Sequence, residues 1–202
     1  FDRQTGKKLW RTEWKAAMKV PFFARKNGSW VRSTPACDGA SLFVGGMRDV
    51  LVCLDIENGA IRWQVDFVKR HGTKLPAFGF VCSPLVIGNH VFVQAGASFT
   101  CLDKRTGETQ WRCLVDGGGM WGSAFSSPIA ATIAGIPQIL VQTRTVLAGV
   151  APDDGAVLWD VPIEAFRGMN IVTPTPYGDA SVFTGAYGGK AQLLKLTHTK
   201  ED

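Results

Sequence analysis

Leu54-Asp55-Ile56-Glu57-Asn58-Gly59-Ala60-Ile61-Arg62-Trp63 returns further along the chain as Leu102-Asp103-Lys104-Arg105-Thr106-Gly107-Glu108-Thr109-Gln110-Trp111. The shared frame is Leu-Asp-x-x-Asn/Thr-Gly-x-x-x-Trp. It also opens the chain as Phe1-Asp2-x-x-Thr5-Gly6-x-x-x-Trp10, and it recurs in degenerate form as Ala151-x-x-Asp154-Gly155-x-x-x-Trp159. The four tryptophans return about every 50 residues, a period typical of repeat architectures. Each conserved part of the frame has a physical task. Glycine lets the backbone take positive φ in a tight turn. The preceding Asp and the internal Thr or Asn can hydrogen-bond the turn backbone. Trp supplies a large apolar plate that a repeating sheet buries against its neighbour.

A second element precedes Trp63, Trp111 and Trp159 and recurs once more after them. It consists of Ser/Thr-Pro, a short strand, a turn and an apolar strand: Thr34-Pro35 with Asp38-Gly39 and strand 42–45; Ser83-Pro84 with Gly88-Asn89 and strand 91–95; Ser127-Pro128 with a longer turn over 135–137 and strand 138–142; Thr173-Pro174 with Gly178-Asp179 and strand 181–185. Asp-Gly and Gly-Asn between β-rich runs are hairpin turns. A third strand follows at 50–54, 99–102, 146–150 and 191–196, and the Trp segment makes the fourth. Helical periodicity of useful length is absent. The fold class is therefore all-β: a propeller of four-stranded antiparallel blades with Trp-docking motifs. The whole chain, 1–202, reads as one propeller region. It divides into a fourth strand at 1–14, blades at 33–66, 82–115 and 126–162, and the first three strands of a last blade at 172–197. Two closures are open. The segment 1–14 can pair onto the last three strands and close a four-bladed ring, or the chain is part of a larger ring with its remaining blades upstream.

Bulk properties bound the function. With 46% hydrophobic and 19% charged residues the chain is globular, and no apolar run reaches the roughly 20 residues of a membrane-spanning helix. The net charge of +5 is concentrated at the start: Arg3, Lys7, Lys8, Arg11, Lys15, Lys19, Arg25 and Lys26 stand among residues 1–30 against Asp2 and Glu13. No nucleic-acid motif accompanies these charges, so a solvated basic edge is expected and nucleic acid is not expected as a partner. Cys37, Cys53, Cys82, Cys101 and Cys113 show no CxxC spacing. Cys53 and Cys101 share one register position, as expected of small buried hydrophobes. The three histidines, at 71, 90 and 198, have no metal-ligand spacing, and no metal site is expected. Gly188-Gly189-Lys190 lacks the other residues of a P-loop and is expected to be a hairpin turn.

The repeated frame resembles the blade motif of the pyrroloquinoline-quinone (PQQ) repeat family, which includes quinoprotein alcohol dehydrogenases and BamB-type outer-membrane assembly lipoproteins. The resemblance spans nearly the whole chain. It implies that Trp10, Trp63, Trp111 and Trp159 are docking residues between blades, that Gly6, Gly59, Gly107 and Gly155 make the turns, and that the chain is the C-terminal half of an eight-bladed ring. The fourth copy departs from the pattern at Ala151 and Asp154, so its turn is expected to be looser. A catalytic member would carry a vicinal Cys-Cys pair, a calcium site of Glu, Asn and Asp, and a catalytic Asp over the quinone. No adjacent Cys pair is present. The leading expectation is thus a non-catalytic binding or assembly scaffold, periplasmic or otherwise exported, with no cofactor. A dehydrogenase using PQQ and Ca²⁺ is the alternative, and the sensor domain of a larger regulatory protein is a weaker one.

Function on such a scaffold is expected in the loops that enter each blade's first strand, because these gather at one mouth of the channel. They are residues 27–32, 70–81, 116–125 and 167–171. Arg32, His71, Lys74, Phe80, Trp121, Arg167 and Asn170 are the candidates for binding a protein partner or small molecule there. Trp121 draws notice because it lies outside the docking register.

Overall fold

The computed structural model describes residues 1–28, 30–116 and 125–197. Each repeat folds into an up-and-down antiparallel sheet. The first contains β1 (Ala36–Cys37), β2 (Ser41–Gly46), β3 (Val50–Asp55) and β4 (Ile61–Asp66). The second contains β5 (Leu85–Ile87), β6 (His90–Ala95), β7 (Ser98–Asp103) and β8 (Thr109–Cys113). The third contains β9 (Ile129–Ile133), β10 (Ile136–Gln142), β11 (Val146–Val150) and β12 (Val157–Pro162). A three-stranded sheet of β13 (Thr175–Tyr177), β14 (Ser181–Gly185) and β15 (Ala191–Lys195) ends the series. These are the blades of a β-propeller. A single helical turn, α1 (Phe67–His71), follows β4; Asp66 caps it by accepting from the Lys69 N–H, and Gly72 ends it in the left-handed conformation.

The register repeats as faithfully as the motif. Cys53 pairs with Trp63, Cys101 with Trp111 and Gly149 with Trp159, and a bulge follows at the next position in all three sheets. Cys53 and Cys101 are fully buried. All five cysteines are free thiols, and burial pushes the Cys101 thiol up to about 12. In the third blade the same position is glycine because Gln138 turns inward there: its Oε1 accepts the Trp159 indole N–H at 2.6 Å, and a Cβ at Gly149 would collide with both groups.

The apolar core is a series of slabs between sheets. One slab joins Phe43, Leu51, Trp63 and Val65 of the first blade to Val91, Val93 and Leu102 of the second. The next joins Phe92, Phe99 and Cys101 to Ile139, Val141 and Val150. A third joins Leu140 and Leu147 to Val182, with Leu194 packed against it. The N-terminal segment contributes Trp10 and Trp14 to a slab with Val44, Val50, Val52 and Leu54. Stability therefore accumulates from neighbour to neighbour, as in other repeat folds.

The motif tryptophans secure these slabs. The indole N–H of Trp10 donates to the Ile56 carbonyl at 3.0 Å, Trp63 to Lys104 at 2.9 Å, and Trp111 to Asp153 at 3.1 Å. Each acceptor lies in the motif turn of the following blade. The turn glycine sits directly under the ring: a Cβ at Gly107 would lie 2.8 Å from Trp63, and one at Gly155 would lie 2.6 Å from Trp111. Glycine is thus required twice, for its positive φ and for the close approach. The motif Asp forms the expected turn, with Asp103 Oδ1 accepting from Arg105 N, Thr106 N and the Thr106 hydroxyl. The degenerate copy loses the Asp but keeps the turn, because Gly155 N still donates to Ala151 O at 3.1 Å and Asp154 Oδ1 accepts from Ala156 N. It is held by fewer bonds than the other copies, since Ala151 offers no carboxylate to the turn N–H groups from which Asp103 Oδ1 accepts, and its Gly155 bond is longer than the 2.8 Å of Gly107 N to Asp103 O.

A second seam runs along the inner strands. The Ser83 hydroxyl accepts from Thr34 N at 3.1 Å, and the Ser127 hydroxyl accepts from Ser83 N at 2.9 Å. The Ser-Pro dipeptides thereby link each blade to the one before it. Residues 1–21, where a fourth strand is expected at 1–14, carry no strand here. A strand needs a ladder partner, and among the described residues this segment has none. It lies instead across the first blade, held by Trp10 and by the Thr12 hydroxyl donating to Gly59 O at 2.5 Å.

Three substitutions separate the tasks of the motif. Trp63→Ala should cost about 3–5 kcal/mol, as for other buried aromatic deletions. Gly107→Ala should cost clearly more than Gly6→Ala, since both glycines have positive φ but nothing stands within 4 Å of a Cβ at Gly6. The latter should show only the left-handed strain of about 1–2 kcal/mol. Urea unfolding of the three variants measures this; equal losses at Gly6 and Gly107 would remove the docking role of the turn.

Candidate functional site

Because each sheet meanders, the β1–β2 and β3–β4 turns and their counterparts lie at one end of the blades. The β2–β3 turns and the connections between blades lie at the other. This second end is the channel mouth, formed among the described residues by 67–84, 114–116, 125–128 and 163–174 together with the turns at 47–49, 96–97 and 143–145.

Its inner wall is a chain of buried amides. Gln94 and Gln142 occupy the same register in β6 and β10. Gln94 Nε2 donates to Ser126 O at 2.8 Å and to Gln142 O at 3.0 Å; Gln142 Nε2 donates to Gly185 O at 3.0 Å, and its Oε1 accepts from the Thr184 hydroxyl. In the first blade this position is Gly45, and the Phe80 ring fills the space a side chain would take. The buried amides are thus spent on joining blade to blade, which is what makes their burial tolerable.

Asp49 stands in the β2–β3 turn at the mouth, against the second blade. It is 2% exposed, and its Oδ2 accepts from Gly96 N of the next blade at 2.8 Å. Burial, opposed by this hydrogen bond and aided by nearby Asp66, raises its carboxyl from 3.8 to about 6. Across the same space Arg144 pairs with Asp116 at 2.8 Å. Asp49, Gly79, Gln94, Gly96, Asp116 and Arg144 help line a cavity of about 20 Å³, room for about one water molecule.

The candidate residues are not gathered into one pocket. Arg32 is half-buried and donates to Phe78 O at 3.4 Å and Gly28 O at 3.3 Å, tying two mouth loops together. His71 packs its ring beside Gly96 and Phe67. Desolvation, with Arg112 and Arg70 nearby, lowers its pKa, and its buried Nε2 has no partner. Lys74 is exposed on the rim. Phe80 is placed elsewhere, 1% exposed in the slab between the first two blades. Arg167 is exposed and lies over the Phe166 ring at 5.0 Å. Asn170 is buried and donates to Thr143 O at 2.9 Å, leaving its Oδ1 unpartnered. Trp121 lies outside the described residues. Asp49 and the paired Asp116 and Arg144 escaped the sequence reading. The glutamines did leave a signal, as the lone polar residue at the same place in Val91-Phe92-Val93-Gln94 and Ile139-Leu140-Val141-Gln142.

A calcium-bound quinone would need several oxygen donors converging on the ion and a cleft of about 300 Å³ or more. Among the described residues no three His, Cys, Asp or Glu side chains come together. Asp49 is engaged with Gly96, and the cavity beside it is water-sized. These residues do not fit that group. No helix among the described residues is long and apolar enough to cross a membrane.

Asp49 makes a pH prediction. A carboxyl raised in the folded state contributes stability that is present below the unfolded value and lost as pH rises through the folded one. Asp49→Asn keeps an acceptor for Gly96 N and tolerates the positive φ of 57°. The variant should therefore gain on the wild type as pH rises from about 4 to 7, by up to about 3 kcal/mol at two pK units. Urea midpoints across that range check it; a pH-independent difference would mean that Asp49 titrates normally.

Comparison with known proteins agrees with this architecture. A family model described as outer membrane protein assembly factor BamB matches residues 1–201. The outer membrane protein assembly factor BamB of Yersinia pestis is 22% identical over 204 residues, covering 97% of this chain and 48% of that protein. The chain thus spans about half the length of that curated relative. Among solved structures, BamB from Moraxella catarrhalis superposes with a TM-score of 0.57 at 19% identity, over 82% of this chain and 47% of that one. The computationally designed Ika4 protein superposes with a TM-score of 0.58 at 13% identity, over 95% of this chain and 99% of that one. At these identities the structural likenesses speak for the fold, while the family match covers almost every residue: the chain belongs to the PQQ-repeat family of the outer membrane protein assembly factor BamB.

Proposed function

We propose that this chain belongs to a non-catalytic propeller that binds a protein partner at its channel mouth and serves outer-membrane protein assembly from the periplasm or another exported compartment. The family match supports the assembly role, and the complete ring is proposed to include further blades upstream. The observation that carries the non-catalytic reading is how the mouth uses its polar groups. Gln94, Gln142 and Asn170 bond to neighbouring backbone, Asp116 pairs with Arg144, and Asp49 accepts from Gly96. These groups hold blades together around a water-sized space and form no nucleophile and base pair. What faces outward at the rim is exposed charge, including Arg48, Lys74 and Arg167. Such a rim suits recognition of a partner surface better than enclosure of a small substrate.

Site-specific photo-crosslinking in cells tests this reading. A crosslinker replacing Lys74 or Arg167 should capture a discrete envelope protein, whereas one replacing Glu57, in a motif turn at the opposite end, should not. Capture from Glu57 alone would move the interface away from the mouth. Supplying PQQ, Ca²⁺, an alcohol and a dye acceptor to the full-length protein should give no turnover; saturable dye reduction would replace the scaffold with a quinoprotein dehydrogenase.

A further inference from the structure

The two ends of the blades differ in sign. At the motif end Glu57, Glu108, Asp153, Asp154 and Asp179 are exposed, while the cations Arg62 and Lys104 are paired with Asp55 and Asp38. At the mouth the order is reversed. Arg48, Lys69, Arg70, Lys74 and Arg167 are exposed there. Of the described mouth acids, Asp49 is buried and Asp116 is bound by Arg144, which leaves Glu164 as the exposed one.

Positive charge gathers over the seam between the first two blades. The turn α1 brings Lys69 and Arg70 there, and Lys74 follows its Gly72 cap. Arg70 is fixed across the seam by donating to Gly107 O at 2.6 Å and to the Thr109 hydroxyl at 3.2 Å. Arg112, half-buried in β8, donates to Gly96 O at 3.0 Å and to the Ser98 hydroxyl at 3.1 Å. Both guanidinium groups thus bond to neutral oxygens, and among the described residues neither is in an ion pair. Lys69 has Asp66 at 3.8 Å, yet its side chain is 82% exposed. Desolvation, and then Arg112 and Arg70, hold the His71 pKa below its ordinary value, as befits a group in an uncompensated positive field. The first blade packs one face on the second blade and the other on Trp10 and Trp14. Further blades upstream would join on that far side and leave this seam open.

We propose that the mouth over this seam docks an acidic segment of a protein partner, whose Asp and Glu side chains pair with Lys69, Arg70 and Lys74. The inference rests on the proposed binding of a protein at the mouth and adds the chemistry of what is bound. Among residues 67–84 no large hydrophobic side chain is exposed. An interfacial membrane contact needs apolar side chains that enter the headgroup layer, and a single-stranded nucleic acid needs rings on which its bases stack. This seam presents neither. Carboxylates of a peptide need only cations held in place, and Arg70 is held by its two bonds to the second blade. The exposed acids of the motif end repel the same segment, so the difference in sign also orients its approach.

Fluorescence anisotropy of labelled poly-glutamate with the full-length protein tests the proposal. The wild type should bind poly-glutamate in preference to poly-glutamine, and added salt should weaken the binding. A Lys69→Glu, Lys74→Glu variant should weaken it by about tenfold or more, and a neutralising Lys69→Gln, Lys74→Gln variant by less, both with an unchanged circular dichroism spectrum. Arg105→Glu, at the motif end, should bind as the wild type does. The proposal is overturned if the wild type does not bind poly-glutamate, if both seam variants bind it unchanged, or if Arg105→Glu loses as much as they do. Capture by phosphatidylglycerol vesicles or by a DNA duplex without poly-glutamate binding would assign the charge to another class of partner and overturn it too. In cells, a crosslinker at Arg167 separates this inference from the reading beneath it. Capture of an envelope protein should fall about tenfold in the Lys69→Glu, Lys74→Glu background. Undiminished capture there would overturn the acidic segment and keep the mouth as the interface, whereas no capture from Arg167 or Lys74 in the wild type would overturn both.

Discussion

The bond that Trp10, Trp63 and Trp111 each make to the turn of the next blade is the interaction on which the rest of the structure depends. A four-stranded sheet of this size has two faces and cannot bury both alone. The indole solves part of that problem by covering the neighbour's turn glycine and donating its N–H to a carbonyl of the same turn. One side chain thus supplies apolar burial, a satisfied polar group and a fixed distance between blades. The inner Ser-Pro seam and the buried glutamines repeat the principle closer to the axis, where a hydroxyl or amide of one blade meets the backbone of another.

This division of labour governs where function can reside. The motif end is occupied by tight turns whose Asp, Thr and Asn side chains are consumed by their own backbone. The mouth has connections of unequal length, and these can change without disturbing the seams. Even there, the buried polar residues are structural, and Asp49 is the buried acid among them. Its desolvated carboxyl has a single backbone donor from the adjoining blade, which makes the seam between the first two blades sensitive to proton activity in a way the tryptophan contacts are not.

The third and fourth blades show how the pattern yields when a partner is missing. Trp159 has no motif turn ahead of it among the described residues and turns its N–H to Gln138 of its own sheet. That inward Gln is accommodated because the residue opposite Trp159 is Gly149, where the earlier blades have cysteine. In the last sheet Phe183 and Leu193 pair across β14 and β15 and remain exposed, with no fourth strand beside them among the described residues.

Most of the architecture was legible in the sequence, because a repeated turn, a fixed Gly-to-Trp spacing and alternating apolar strands are local signals copied several times. They set the strands, their order, the antiparallel pairing and the identity of the docking residues. The site was far less legible. Phe80 reads like a pocket residue in a loop but fills the space left by Gly45, and Asp49 reads like a turn residue but is buried against Gly96. Both outcomes depend on a partner about one blade away in the chain, and composition or periodicity within a single repeat carries no record of that partner. The opening segment shows the same limit: its motif is that of a fourth strand, yet it forms no ladder here. The sequence by itself determined the blade and the tryptophan that docks it, since both arise from contacts within one repeat or a contact that Trp10, Trp63 and Trp111 repeat in turn. Only the tertiary structure decided which mouth residues are seam and which are surface, because packing of one blade against the next distributes the buried space between them.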